Sequence, residues 1–158
     1  MLFRSGTVDA RNRLGWRPRC DAHEQSVILV DTSAWIEFLR DTGSEVCTAV
    51  DRLLDADLAI CDPVSMEVLA GARNEQHLIQ LRGLLARATM LPTTPSDYEA
   101  AASMYRACRT RGETVRKLID CLIASVAVRA GAEILHADTD FVALARHTEL
   151  RLHPDSRG

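Results

Sequence analysis

The 158-residue sequence predicts an α/β fold, a central and mostly parallel sheet flanked by helices. Three observations carry this. Short apolar runs, with β-branched residues in each, recur at 27–30, 58–61 and 134–136. Stretches with helical periodicity, each with start or stop signals, separate them. The runs do not alternate with polar residues, as strands covered on both faces should not.

Val27-Ile28-Leu29-Val30 is the first expected strand, and Asp31 ends it. From Ser33 a helix is expected, with Trp35, Ile36 and Leu39 on its inward side. Thr48 to Asp57 reads as a second helix, with Val50, Leu53 and Leu54 as its apolar stripe. Leu58-Ala59-Ile60-Cys61 is the second strand. Asp62-Pro63 then reads as an N-cap acid followed by proline at the first helical position, opening a helix that ends at Gly71. A further helix is expected from Glu75 to about Arg87, and a short strand at Met90-Leu91. Thr94-Pro95 opens a helix to about Thr110, and Gly112 breaks the chain. A very apolar helix follows through Val128 and stops at Gly131. Ile134-Leu135-His136 is another strand, Phe141 to Ala145 a short helix, and Leu150-Arg151-Leu152 an edge strand.

Residues 1–26 differ from the rest. They are rich in Arg, Asn, Gly, Pro and Asp without apolar periodicity, so they are expected to be disordered or a non-native extension. Leu2-Phe3-Arg4-Ser5 back-translates to the end of a common sequencing adaptor, which motivates the second reading. The folded domain is expected over 27–154. The five cysteines form no C-x-x-C pair, so neither a disulfide framework nor a zinc site is expected. Cys61 and Cys121 read as small buried hydrophobes. No apolar run reaches membrane-spanning length and no secretory signal is visible, which places the protein in the cytoplasm. The net charge of −3 argues against a nucleic-acid partner only if it is spread evenly. Acids gathered round a metal, with bases clustered elsewhere, would reverse that inference.

The acids are where chemistry is expected. Open parallel sheets bind ligands at the carboxyl ends of their strands. Asp31 directly follows the first strand, and Asp138 and Asp140 follow the strand that ends at His136. Glu67 shares a helical face with Val64 and Gly71. Asp120 lies within Leu118-Ile119-Asp120-Cys121-Leu122-Ile123-Ala124, a segment apolar nearly all round. A buried, unpaired carboxylate costs several kcal/mol or is forced to protonate, and a metal ion removes that cost. Oxygen-only ligands favour Mg²⁺ or Mn²⁺ over zinc. Each acid also has a plain structural reading. Asp31 and Asp138 could cap helices, Glu67 could be solvated, and Asp120 could pair with Arg116 one turn earlier. Arg106, Arg109, Arg111, Arg116 and Lys117 form a basic stretch leading into Asp120. It could deliver phosphates to the site or simply be a solvated helix end. Trp35 reads as packing, and His136 as a strand-end residue rather than a ligand.

Val30-Asp31-Thr32-Ser33-Ala34-Trp35, Met66-Glu67-Val68-Leu69-Ala70-Gly71, Ile119-Asp120-Cys121-Leu122-Ile123-Ala124 and His136-Ala137-Asp138-Thr139-Asp140-Phe141 resemble, in order and spacing, the four acidic motifs of PIN-domain proteins. They look most like the VapC toxins. The resemblance covers about Val27 to Leu152. It implies a PIN-like three-layer sandwich, with Asp31, Glu67, Asp120 and Asp138 as the acidic site and Asp140 as an additional acid. Asp31, Asp120 and Asp138 would hold Mg²⁺ or Mn²⁺, Glu67 would position water, and Thr32 or Ser33 would orient Asp31. The implied activity is endonucleolytic cleavage of RNA, often a tRNA. The implied partners are a second copy of the chain and a VapB-type antitoxin. A catalytically inactive PIN-like module that binds RNA or protein is the alternative. A haloacid-dehalogenase-type phosphatase is excluded because Ser33 stands where that chemistry needs a second Asp. No P-loop or G-x-G-x-x-G occurs.

Overall fold

The computed structural model describes residues 26–158. The readings made of residues 1–25, and of Cys20 among them, lie outside the described residues. Five strands form one sheet: β1 (Ile28–Val30), β2 (Leu58–Cys61), β3 (Thr89–Leu91), β4 (Glu133–Leu135) and β5 (Arg151–Leu152). Seven helices accompany them: α1 (Thr32–Leu39), α2 (Glu45–Leu54), α3 (Asp62–Ala70), α4 (Glu75–Leu85), α5 (Pro95–Thr110), α6 (Leu118–Arg129) and α7 (Thr139–His147).

The strand order is β3-β2-β1-β4-β5, and every pairing is parallel. The expected α/β class therefore holds, with a sheet parallel throughout. The chain leaves β1 towards β2 and β3, then crosses back to lay β4 on the other side of β1. That makes the β1–β4 boundary the topological switch point, the place where open α/β sheets bind their ligands. In register, Val30 faces Leu135, so Asp31 and His136 leave the sheet side by side.

β1 and β4 end in fully buried residues, and β2 is buried along its whole length. Apolar side chains from both sheet faces and from α2 and α6 fill the core, with Trp35 and Phe141 its largest fully buried members. The four cysteines among the described residues are all free and buried. Gly131 adopts φ +62° just after α6, the left-handed stop that glycine supplies cheaply. No described helix is long and apolar enough to cross a membrane.

Two local expectations are corrected. Ile36 and Leu39 are 40% and 44% exposed. The eight-residue helix α1 buries only Ala34 and Trp35, so its last turn runs past the core. There Ile36 and Leu39 line an open groove with Glu67, Val68 and Leu81. Asp62 is not the N-cap of α3. The cap position falls to Cys61, and Pro63 takes the second helical position. The Asp62 carboxylate instead accepts the Thr93 N–H at 2.7 Å, which ties the start of α3 to the chain leaving β3.

Candidate metal centre

Asp31 is held by its own helix. As N-cap of α1 it accepts the Ser33 N–H at 2.8 Å and the Ser33 hydroxyl at 2.5 Å, both on Oδ2. The same hydroxyl oxygen accepts the Ala137 N–H at 2.9 Å. Ser33 therefore clips the loop after β1 to the loop after β4. Of the two hydroxyls expected to orient Asp31, Ser33 does so. Thr32 donates instead to Glu67 Oε2 at 2.6 Å and fixes α3 against the start of α1.

The other oxygen of Asp31, Oδ1, is buried without a hydrogen-bond partner among the described residues. Asp120 repeats the pattern from the first turn of α6. It is 4% exposed, and its Oδ2 is buried and unpartnered. Burial, opposed by the Ser33 and Thr32 hydrogen bonds and reinforced by the Glu67 charge, pushes the Asp31 carboxyl up to about 6. Burial and then the Asp31 charge push Asp120 up to about 7. The charges of Asp138 and Asp140 act on Asp120 in the same direction.

Asp138 and Asp140 come from the loop after β4 and the first turn of α7. One oxygen each of Asp120, Asp138 and Asp140 lie within 4.8 Å of one another. This trio differs from the expected ligand trio by holding Asp140 in place of Asp31. Asp31 is linked to Asp120 through their charges, and to the loop that carries Asp138 through the Ser33 clip. Glu67, on the far side of Thr32, joins the group through its charge on Asp31.

The expectations for Arg116 are pairing with Asp120, delivery of phosphates as part of the basic stretch, or a solvated helix end. It pairs instead with Asp138 and Asp140, and its side chain stays 60% exposed. Its Nε donates to Asp140 Oδ1 at 2.9 Å, its backbone N–H to Asp140 Oδ2 at 2.8 Å, and its Nη2 to Asp138 Oδ1 at 2.5 Å. Lys117 Nζ stands 3.7 Å from Asp138 Oδ2. Of the basic stretch, these two residues reach the acids, while Arg111 turns back to the Ala107 carbonyl. No local pattern reveals such a pairing, because 22 and 24 residues separate Arg116 from its partners. His136 is fully buried beside Phe141 and receives the Asp138 N–H on Nδ1 at 3.3 Å. Burial pushes its pKa down to about 4, so it is a neutral packing residue that shapes the loop.

The donor set is all oxygen. Asp31 Oδ1 and Asp120 Oδ2 are buried without a hydrogen-bond partner among the described residues, and a hard divalent cation meets that requirement.

Comparison with known proteins places the chain in a family. The PIN domain family model matches residues 28–147. The chain is 46% identical over 129 residues to a protein of Mycobacterium tuberculosis named Ribonuclease VapC11, covering 79% of this chain and 96% of that protein. It is 31% identical over 121 residues to Ribonuclease VapC51 of the same organism, covering 76% and 86%. Among solved structures, VapBC2 from Rickettsia felis, bound to a promoter DNA fragment, superposes with a TM-score of 0.66 at 17% identity, covering 80% of this chain and 97% of that one. VapC20 of Mycobacterium tuberculosis, described as a toxin that cleaves the sarcin-ricin loop, gives 0.57 at 20% identity, covering 78% and 98%. These two likenesses show the fold. Family match and sequence identity together establish that the chain belongs to the PIN domain family, alongside the VapC ribonucleases.

Proposed function

We propose that this chain is a Mg²⁺- or Mn²⁺-dependent endoribonuclease that cleaves RNA, with tRNA as its substrate class. It would act as the toxin of a toxin–antitoxin pair, be neutralised by a VapB-type antitoxin and work as a homodimer. The observation that carries the reading is the pair of buried, unpartnered oxygens, Asp31 Oδ1 and Asp120 Oδ2, at the switch point of the sheet. The kinship with the VapC ribonucleases supports the RNA substrate and the antitoxin.

Asp31, Asp120 and Asp138 would hold the ion, which supplies activation of water and stabilisation of the charge on the leaving oxygen. Ser33 fixes the angle of the Asp31 carboxylate. Glu67, oriented by Thr32, would position the attacking water. Asp140 anchors Arg116. The exposed faces of Arg116 and Lys117 meet the phosphate backbone as it enters the acidic site.

The test is cleavage of total bacterial tRNA by antitoxin-free protein with Mg²⁺ or Mn²⁺, then with EDTA, beside Asp31→Asn. Discrete fragments that vanish with chelator and in the variant are expected. Metal-independent cleavage, or an Asp31→Asn variant as active as wild type, would overturn the reading. RNA binding without cleavage would move the chain to the inactive-module alternative.

A further inference from the structure

Whether a carboxylate centre of this kind takes one ion or two depends on how many oxygens are free and how much negative charge is uncompensated. Four aspartates converge here: Asp31, Asp120, Asp138 and Asp140. Their oxygens are not equally available. Both oxygens of Asp140 are consumed, one by Arg116 Nε and the other by the Arg116 N–H. Asp138 Oδ1 receives Arg116 Nη2 and the Asp140 N–H. Asp138 Oδ2 accepts no hydrogen bond among the described residues and has only Lys117 Nζ, 3.7 Å away. The oxygens left for an ion are Asp31 Oδ1, both oxygens of Asp120, and Asp138 Oδ2, all on three residues.

Charge points the same way. Five carboxylates, Glu67 included, against Arg116 and Lys117 leave three negative charges, so one divalent ion leaves a single negative charge and a second would overshoot. A pair of catalytic ions sits about 3.5–4 Å apart and needs carboxylate oxygens for both. The second would have to draw on Asp140, where a guanidinium is already seated in a two-point fork that includes its own backbone. A guanidinium does not deprotonate in proteins, so it is a permanent cation.

Resting on the metal-dependent reading above, we infer that this centre takes one divalent ion, and that the Arg116 guanidinium, seated on Asp138 and Asp140, occupies the place of the second. Arg116 is thus a positioning residue. It holds Asp138 with one oxygen turned to the ion and removes Asp140 from the ligand set.

The experiment is Mn²⁺ titration of the full, antitoxin-free chain by calorimetry, with Mn²⁺ electron paramagnetic resonance as the second readout. Wild type should bind one Mn²⁺ per chain and give the spectrum of an isolated ion. Arg116→Met, with its fold checked by circular dichroism, should bind two and show the broadening of a coupled pair. Arg116→Lys, which keeps the charge, should stay at one. Adding Asp140→Asn to Arg116→Met should return the count to one. Two ions in wild type would overturn the inference, and that result stands even where a variant fails to fold. A folded Arg116→Met that still binds one would overturn it as well. A wild-type chain that binds no Mn²⁺ would overturn the metal-dependent reading itself, which is a distinct result.

Discussion

Replacing Asp120 by Asn should weaken metal binding and, with metal removed, stabilise the fold. The carboxyl is 4% exposed, and burial with the neighbouring Asp31 charge holds it at about 7, against an ordinary 3.8. Keeping it ionised at pH 8 therefore costs the metal-free protein up to about 4 kcal/mol. The Asn amide is neutral but still buried, and an imperfectly paired amide costs about 1–3 kcal/mol. The net gain is about 2 kcal/mol, or roughly 6 °C in Tm for a domain of this size. The sign with pH follows from linkage. Between about pH 4 and 7 the folded state keeps a proton on Asp120 that the unfolded chain has already lost, so this group's contribution falls as pH rises through that window. Asp31, pushed up to about 6, acts in the same direction. His136, pushed down to about 4, acts in the opposite one, so the difference between variant and wild type isolates Asp120. Thermal melts in EDTA at pH 5 and pH 8 measure it. The advantage of Asp120→Asn should be small at pH 5 and full at pH 8, while Mn²⁺ affinity drops at least about tenfold with the lost ligand. A Tm in EDTA at pH 8 that falls well below wild type would refute the claim that an unneutralised charge is buried at this position.

Ser33→Ala removes the hydroxyl that joins Asp31 to Ala137. It should cost about 2 kcal/mol in urea unfolding and lower kcat more than KM, since Asp31 stays present but loses its orientation; unchanged kcat would count against the clip. Arg129→Met leaves Asp97, 2% exposed, without its two-point partner at 2.8 and 3.0 Å. Burial alone would raise that carboxyl, but Arg129 and Thr94 together hold it below its ordinary value. Its contribution is therefore present above about pH 4 and lost on acidification, and the variant should lose about 3 kcal/mol at pH 7 and much less at pH 3. An equal loss at both pH values would mean that the arginine acts through packing alone.

How far the site could be read in advance depended on the range of each signal. The positions of Asp31, Asp120 and Asp138, at strand ends and in the first turn of a buried helix, were legible because each is tied to a local pattern. β2 was legible for the same reason, being buried on both faces along its whole length. Ile36 and Leu39 were misread because periodicity gives a helix an apolar side without saying where the core stops. Asp62 was misread as a cap because its real partner, the Thr93 N–H, is 31 residues away. The Arg116 fork and the Ser33–Ala137 clip escaped altogether. Both join segments that meet only after the chain crosses back to place β4 beside β1.

That crossing has a consequence in time. β1 and its partner β4 are separated by more than a hundred residues, and between them the chain must complete β2, β3 and six helices. Closing so long a loop is slow and has to precede the contacts that reward it. A ribosome-bound chain that has emerged only as far as α5 carries Asp31 and Glu67 but neither Asp120 nor Asp138, so its acidic group is incomplete however well its first half has folded. A fragment cut between α6 and β4 gains Asp120 but still lacks Asp138 and Asp140. For a protein that would damage the RNA of the cell making it, the strand order is a built-in delay: the hazard arrives with the last quarter of the chain, leaving the interval of its synthesis for a neutralising partner to accumulate.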